Sequence, residues 1–144
     1  MSKVINLKRG LNIRLKGEAE KLFGTQPEAV KVALKPTDFP GLMPKILVKA
    51  GQEVKVGEPL FFDKKNPEII FTAPVSGEVL AINRGERRKV LEVVIKADGK
   101  NDCVEFAKAD PQRLSREEIK QQLKISGLWP FLKQRPYGTV AKPE

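Results

Sequence analysis

The chain contains no histidine, and only one cysteine, one tryptophan and one tyrosine, in 144 residues. Without histidine there is no Ser-His or Cys-His nucleophile, no His-carboxylate acid–base pair, and no His-ligated metal or haem. A single cysteine excludes a disulfide within the chain and any Cys-ligated zinc or iron–sulfur site built from this chain alone. Cys103 lies in Asn101-Asp102-Cys103-Val104-Glu105, where acidic neighbours disfavour a thiolate, so it reads as structural. No apolar run approaches the roughly 20 residues that cross a bilayer. The start, Met1 to Asn6, lacks the apolar centre of a secretory signal, which makes a reduced, cytoplasmic setting the expectation. No Gly-x-Gly-x-x-Gly is present to cradle a dinucleotide. Aromatic residues make up only 6%, but 40% apolar residues suffice for a core.

What the chain has in excess is positive charge, +9 at neutral pH. Residues 1–24 hold six basic and two acidic residues, net +4, and the densest basic run is Arg84-Gly85-Glu86-Arg87-Arg88-Lys89. A basic chain invites a nucleic-acid reading. The nearly balanced charge of residues 25–100, and the lack of aromatics interleaved with the cations, argue against it. The alternatives are a solvated hairpin loop, contact with an acidic partner, or contact with lipid headgroups.

Hydrophobic periodicity predicts a β-rich chain. Ile5 and Leu7, then Leu11, Ile13 and Leu15, fall at the strand period, with Gly10 and Gly17 as punctuation. Glu18 to Phe23 has room for one helical turn before Gly24. Strands are predicted over residues 29–35, in pieces between 46 and 63, and over 68–73, 78–83 and 89–96, with an irregular loop through Pro36, Pro40, Gly41 and Pro44. Val48-x-x-Gly51 and Ile82-x-x-Gly85 repeat one pattern, which suggests two similar halves. Closely spaced short strands of this kind indicate a small closed sandwich or barrel, not βαβ units.

The tail changes character. Ser115-x-x-Glu118 is a capping-box signature, and Leu114 and Ile119 occupy the positions of a hydrophobic staple. The spacing predicts a helix from Ser115 to about Ser126, stopped by Gly127. An apolar cluster, Leu128 to Leu132, follows. Its Trp129 must be buried either by folding back on this chain or by a further domain. Residues 139–144 read as a linker. The expected organisation is an N-terminal strand arm over 1–27, a core over 28–100 and a helical extension over 101–144.

Val48-x-x-Gly51-x-x-Val54-x-x-Gly57-x-Pro59-Leu60, followed by Ala73-Pro74-x-x-Gly77-x-Val79, resembles the biotinyl/lipoyl carrier domain. That resemblance implies a barrel-sandwich hybrid, and in such carriers a lysine at a hairpin tip bears the cofactor. The 20 residues from Gly57 to Gly77 place the hairpin midpoint near Pro67. On that count Asn66-Pro67 is the tip and Lys64 lies on the ascending arm, out of place for a carrier lysine. A covalent cofactor carrier is therefore the alternative reading.

A further resemblance covers most of the chain. It rests on Phe39-Pro40-Gly41-Leu42-Met43-Pro44-Lys45, Pro59-Leu60-Phe61-Phe62-Asp63-Lys64-Lys65-Asn66-Pro67, Ala73-Pro74-Val75-Ser76-Gly77, Ile82-Asn83-Arg84-Gly85-Glu86-Arg87-Arg88 and Gly127-Leu128-Trp129 with Arg135-Pro136. Together these resemble the A subunit of the bacterial sodium-translocating NADH:quinone reductases. The resemblance implies a mainly β (α+β) fold, with a small barrel-sandwich core, N-terminal strands and a C-terminal helix. It also implies a peripheral subunit on the cytoplasmic face of the inner membrane, with the other subunits of the complex as partners and the chain as the N-terminal piece of a longer subunit. In that family the A subunit carries no flavin or iron–sulfur centre of its own. Flavins, iron–sulfur, NADH and the sodium path belong to or act with other subunits, while quinone has been linked to the A subunit. The expectation is thus no catalytic, metal or cofactor-binding residue here. Candidate contacts for a partner or a quinone headgroup are Arg84, Arg87, Arg88, Trp129, Arg135 and Tyr137.

Overall fold

The computed structural model describes residues 6, 10, 16–18, 20–24 and 29–143. The two alternating runs expected near residues 4–7 and 11–15 lie outside the described residues. The described residues of 18–24 contain no helical turn.

Among the described residues nine strands and one α-helix follow in chain order. They are β1 (Lys31–Leu34), β2 (Pro44–Ile46), β3 (Glu53–Val54), β4 (Pro59–Asp63), β5 (Asn66–Thr72), β6 (Gly77–Arg84), β7 (Val90–Ala97), α1 (Arg116–Ile125), β8 (Lys133–Gln134) and β9 (Thr139–Val140). One sheet has the order β1-β7-β6-β3 and the second β2-β4-β5, while β8 and β9 pair alone. Every pairing between these strands is antiparallel, and one isolated parallel bridge joins Val56 to Cys103. The expected mainly β barrel-sandwich with one C-terminal helix is what forms. The strands in the 46–63 region are shorter than predicted: β3 has two residues, and β2 begins at Pro44, inside the expected loop.

The two sheets close on one core because β-branched and aromatic side chains alternate inward. Val79 lies opposite Ile95 in the β6–β7 ladder, and both are fully buried. From the other sheet come Leu60, Phe61, Ile69 and Phe71. The Phe71 ring stacks on Phe61 at 4.8 Å between centroids and meets Phe39 edge-on at 4.7 Å. Each fully buried side chain of this size contributes about 1.5–3 kcal/mol. Gly77 holds the sheet together by having no side chain: at φ +143°, a Cβ there would overlap the Lys96 carbonyl oxygen.

The C-terminal segment is built into this core. Ser115 caps α1 by accepting the Glu118 N–H, and the Glu118 carboxylate accepts the Ser115 N–H in return. Gly127 ends the helix at φ +71°, pressed so close to Thr72 that a Cβ would collide with its side chain. A 3-10 turn, Trp129–Phe131, then drops the indole into the core, where Trp129 is 7% exposed. Its Nε1–H donates to the Ala141 carbonyl at 2.8 Å. So Trp129 is covered by its own chain. The expected linker also needs correction, because Thr139 and Val140 form β9 against β8 and Ala141 anchors the indole.

Candidate functional site

The long β6–β7 hairpin ends in the most basic turn of the chain. Gly85 N–H donates to the Lys89 carbonyl at 2.8 Å and closes a five-residue loop, inside which the Lys89 N–H donates to the Glu86 carbonyl at 3.1 Å. Arg87 and Arg88 take φ +52° and +59°, left-handed values that cost a non-glycine residue roughly 1–2 kcal/mol each. The repeat with Val48-x-x-Gly51 breaks here. Gly51 is left-handed at φ +82°, whereas Gly85 sits at φ −99° and the arginines adopt the positive angles. Just below the tip, the Asn83 side-chain amide donates to Glu92 at 2.8 Å, and the Arg84 guanidinium donates to the Arg88 carbonyl at 3.3 Å. Arg84, Arg87 and Arg88 are all exposed.

The other three sequence candidates divide. Arg135 and Tyr137 lie in the exposed β8–β9 turn, where Tyr137 is 79% exposed. Trp129 is buried in the core and is set apart from them. The structure thus joins Arg84, Arg87 and Arg88 in one turn and Arg135 with Tyr137 in another.

The β4–β5 turn requires a correction. Its two turn residues are Lys64 and Lys65, not Asn66-Pro67. Phe62 pairs with Ile70 but Asp63 pairs with Asn66, so one step along β4 spans four along β5. Pro67, Glu68 and Ile69 form the excess, an irregularity that suits a proline without an N–H to donate. Counting equal arms from the flanking glycines misses it. Glu68 on this bulge pairs with Lys124 of α1 at 2.7 Å, which ties the hairpin to the helix.

The organising residue of that turn is Asp63, which sequence reasoning missed. It is 7% exposed. Its Oδ1 accepts from the Met43 and Lys65 backbone N–H groups at 3.2 and 3.1 Å, and its Oδ2 accepts from the Asn66 side-chain amide at 3.3 Å. The signal available was an acid placed between Leu60-Phe61-Phe62 and a polar turn. Beside it lies a cavity of about 260 Å³, floored by Ile69 and Phe71 and edged by Lys65, Gln134, Thr139 and Lys142.

A larger open cleft of about 720 Å³ runs along the β3–β6 edge, where Glu53, Glu78 and Asp102 alternate with Lys55, Lys96 and Lys100. Ser76 closes one end. Its buried hydroxyl donates to Asp98 at 2.6 Å and accepts the Asp102 N–H at 3.1 Å. The Ser76 hydrogen bond, followed by the Lys100 backbone N–H, holds the Asp98 carboxyl below its ordinary value. Among the described residues no group of three or more His, Cys, Asp and Glu is placed to hold a metal ion, and no helix is long and apolar enough to cross a membrane.

Comparison with known proteins agrees with this architecture. Residues 5–98 match the model of the NqrA N-terminal barrel-sandwich hybrid domain, and residues 114–144 match that of the NqrA second alpha/beta domain. Similar proteins include the A subunits of three Na(+)-translocating NADH-quinone reductases. That of Neisseria meningitidis serogroup A is 43% identical over 140 residues, that of Tolumonas auensis 43% over 143, and that of Pasteurella multocida 40% over 140. These alignments take in 95%, 97% and 95% of this chain but only 31%, 32% and 31% of the relatives. The chain therefore spans about a third of the relatives it matches. With the family model covering most of a barrel whose sheets and core have the expected form, the chain belongs to the family of the NqrA N-terminal barrel-sandwich hybrid domain.

Proposed function

We propose that this chain acts as the N-terminal part of the A subunit of a sodium-translocating NADH:quinone reductase, and that its role there is structural and docking. The observation that carries the reading is 40–43% identity, over nearly the whole chain, to proteins bearing that name. Electron transfer from NADH to quinone, coupled to sodium export, is then the work of the assembled complex. A chain with no histidine and one cysteine lacks the side chains that ligate most redox metals. The module sits peripherally on the cytoplasmic face of the membrane. It offers Arg84, Arg87 and Arg88 on one turn, and Arg135 and Tyr137 on another, to the other subunits or to a quinone headgroup. The test is the absorption spectrum above 350 nm and the NADH:quinone turnover of the purified chain. The proposal expects neither, and a stoichiometric chromophore or intrinsic turnover overturns it.

One observation favours a second reading, a covalent cofactor carrier: Lys64 and Lys65 form the hairpin tip. That reading expects a mass increase located on one of these lysines after expression, and an unmodified intact mass removes it.

A further inference from the structure

We propose that the β6–β7 tip is a guanidinium clamp for a carboxylate-rich segment of a partner protein. The inference rests on the docking role above and adds the chemistry of the partner. Arg84, Arg87, Arg88 and Lys89 place four cations within six residues, against the single acid Glu86. Among the described residues ion pairs form between Lys55 and Asp102, Arg113 and Asp110, and Lys124 and Glu68, while no described carboxylate pairs with any of the three arginines. Their charge is uncompensated within the described chain.

The backbone is a second, independent observation. Arg87 and Arg88 occupy consecutive left-handed positions, where glycine or asparagine costs least. Both side chains are exposed, so no packing inside the chain offsets that strain. Strain of this kind gathers where function requires a particular side chain in a particular place. The turn is also preorganised: Arg84 is held through the Arg88 carbonyl at 3.3 Å, and Asn83 braces Glu92 beneath it. Leu91, 40% exposed, lies beside Gly85 and supplies an apolar heel.

The composition of the tip, taken with the docking role, points to an acidic protein partner. Anionic membrane surfaces are engaged by clusters of about four to eight cations, which act largely as point charges. This tip carries four cations, at the lower bound of that range, and three of the four are arginines. The planar guanidinium fork matches a carboxylate or a phosphate in two parallel hydrogen bonds, which a lysine cannot do, and the docking role above makes the carboxylates of a partner subunit the counterpart. The tip has no aromatic residue between Asn83 and Leu91 on which a base could stack.

The test measures binding of a fluorescein-labelled deca-glutamate peptide to the chain by anisotropy at about 0.15 M salt. Arg87→Ala with Arg88→Ala is expected to weaken binding about 10-fold or more. Lys31→Ala with Lys35→Ala removes the same charge from around β1 and is expected to cost less than about 3-fold. Arg87→Lys with Arg88→Lys keeps the charge and is expected to lose several-fold. Arg87→Gly with Arg88→Gly is expected to raise the melting temperature while abolishing most of the binding, which separates loss of the clamp from loss of the fold. Equal losses in the two alanine pairs would mean diffuse charge and overturn the clamp. So would arginine-dependent binding to phosphatidylserine vesicles without peptide binding. If peptide binding fails while the chain still sediments with membranes carrying the reductase, the docking role stands and only the partner chemistry is wrong.

Discussion

Replacing Trp129 with alanine is expected to remove about 4 kcal/mol of stability. An indole buries roughly 200 Å², worth about 5 kcal/mol at about 25 cal/mol/Å², of which alanine keeps a part. The figure agrees with the roughly 3–5 kcal/mol seen when large aromatic side chains are cut to alanine in cores. Trp129 qualifies because it is 7% exposed and belongs to the same cluster as Phe61, Phe71 and Val79. The Ala141 carbonyl also loses its donor, a further loss of about 1 kcal/mol. Since small domains have only about 5–15 kcal/mol in hand, the variant should unfold at much lower urea. Trp129→Phe keeps a ring but not the N–H, and should lose about 1–2 kcal/mol. Urea titration followed by far-UV circular dichroism measures both. The wild type adds an internal control, because its single tryptophan reports on the C-terminal segment alone. Fluorescence and dichroism should change together. A loss below about 1 kcal/mol in Trp129→Ala, or tryptophan exposure well before the sheets melt, would refute the claim that residues 114–143 are built into the barrel.

Gly77→Ala should cost about 3 kcal/mol or more, or prevent folding, because its Cβ meets the Lys96 carbonyl; thermal melts decide it. Asp63→Ala orphans two backbone N–H groups and the Asn66 amide and should lose about 2–3 kcal/mol by urea titration. Acid should weaken the fold through Asp98 and Glu118. Both carboxyls are held below their ordinary values, Asp98 first by the Ser76 hydroxyl and Glu118 first by the Ser115 N–H. Their stabilisation is therefore complete above the ordinary carboxylate range and lost as pH falls through their lowered values. Melting temperatures from about pH 7 down to about 2 should fall less steeply in Ser76→Ala than in the wild type.

What the sequence disclosed and what it hid divide along local and non-local physics. The α1 capping box and the Gly127 stop were legible because their partners lie within a turn or so of one another. The alternation around Val79, Val93 and Ile95 was legible because one strand carries its own inward face. The Lys64-Lys65 tip was hidden, since the Pro67–Ile69 excess in β5 shows only when β4 is laid against it. Trp129 was ambiguous for the same reason: five neighbouring residues say that an indole needs cover, but not that Ala141 accepts its N–H. At the candidate site, the run of arginines was plain from sequence. The left-handed backbone beneath Arg87 and Arg88 was not, because arginine gives no local signal for positive φ.

Docking is tested most directly by sedimentation of the purified chain with two sets of Neisseria meningitidis membranes. One set carries the sodium-translocating reductase deprived of its own A subunit, and the other lacks the reductase altogether. Saturable binding to the first set is expected, at one chain per complex and weakened by Arg87→Ala with Arg88→Ala, with none to the second. Equal binding to both sets, or binding to neither, would rule the docking role out.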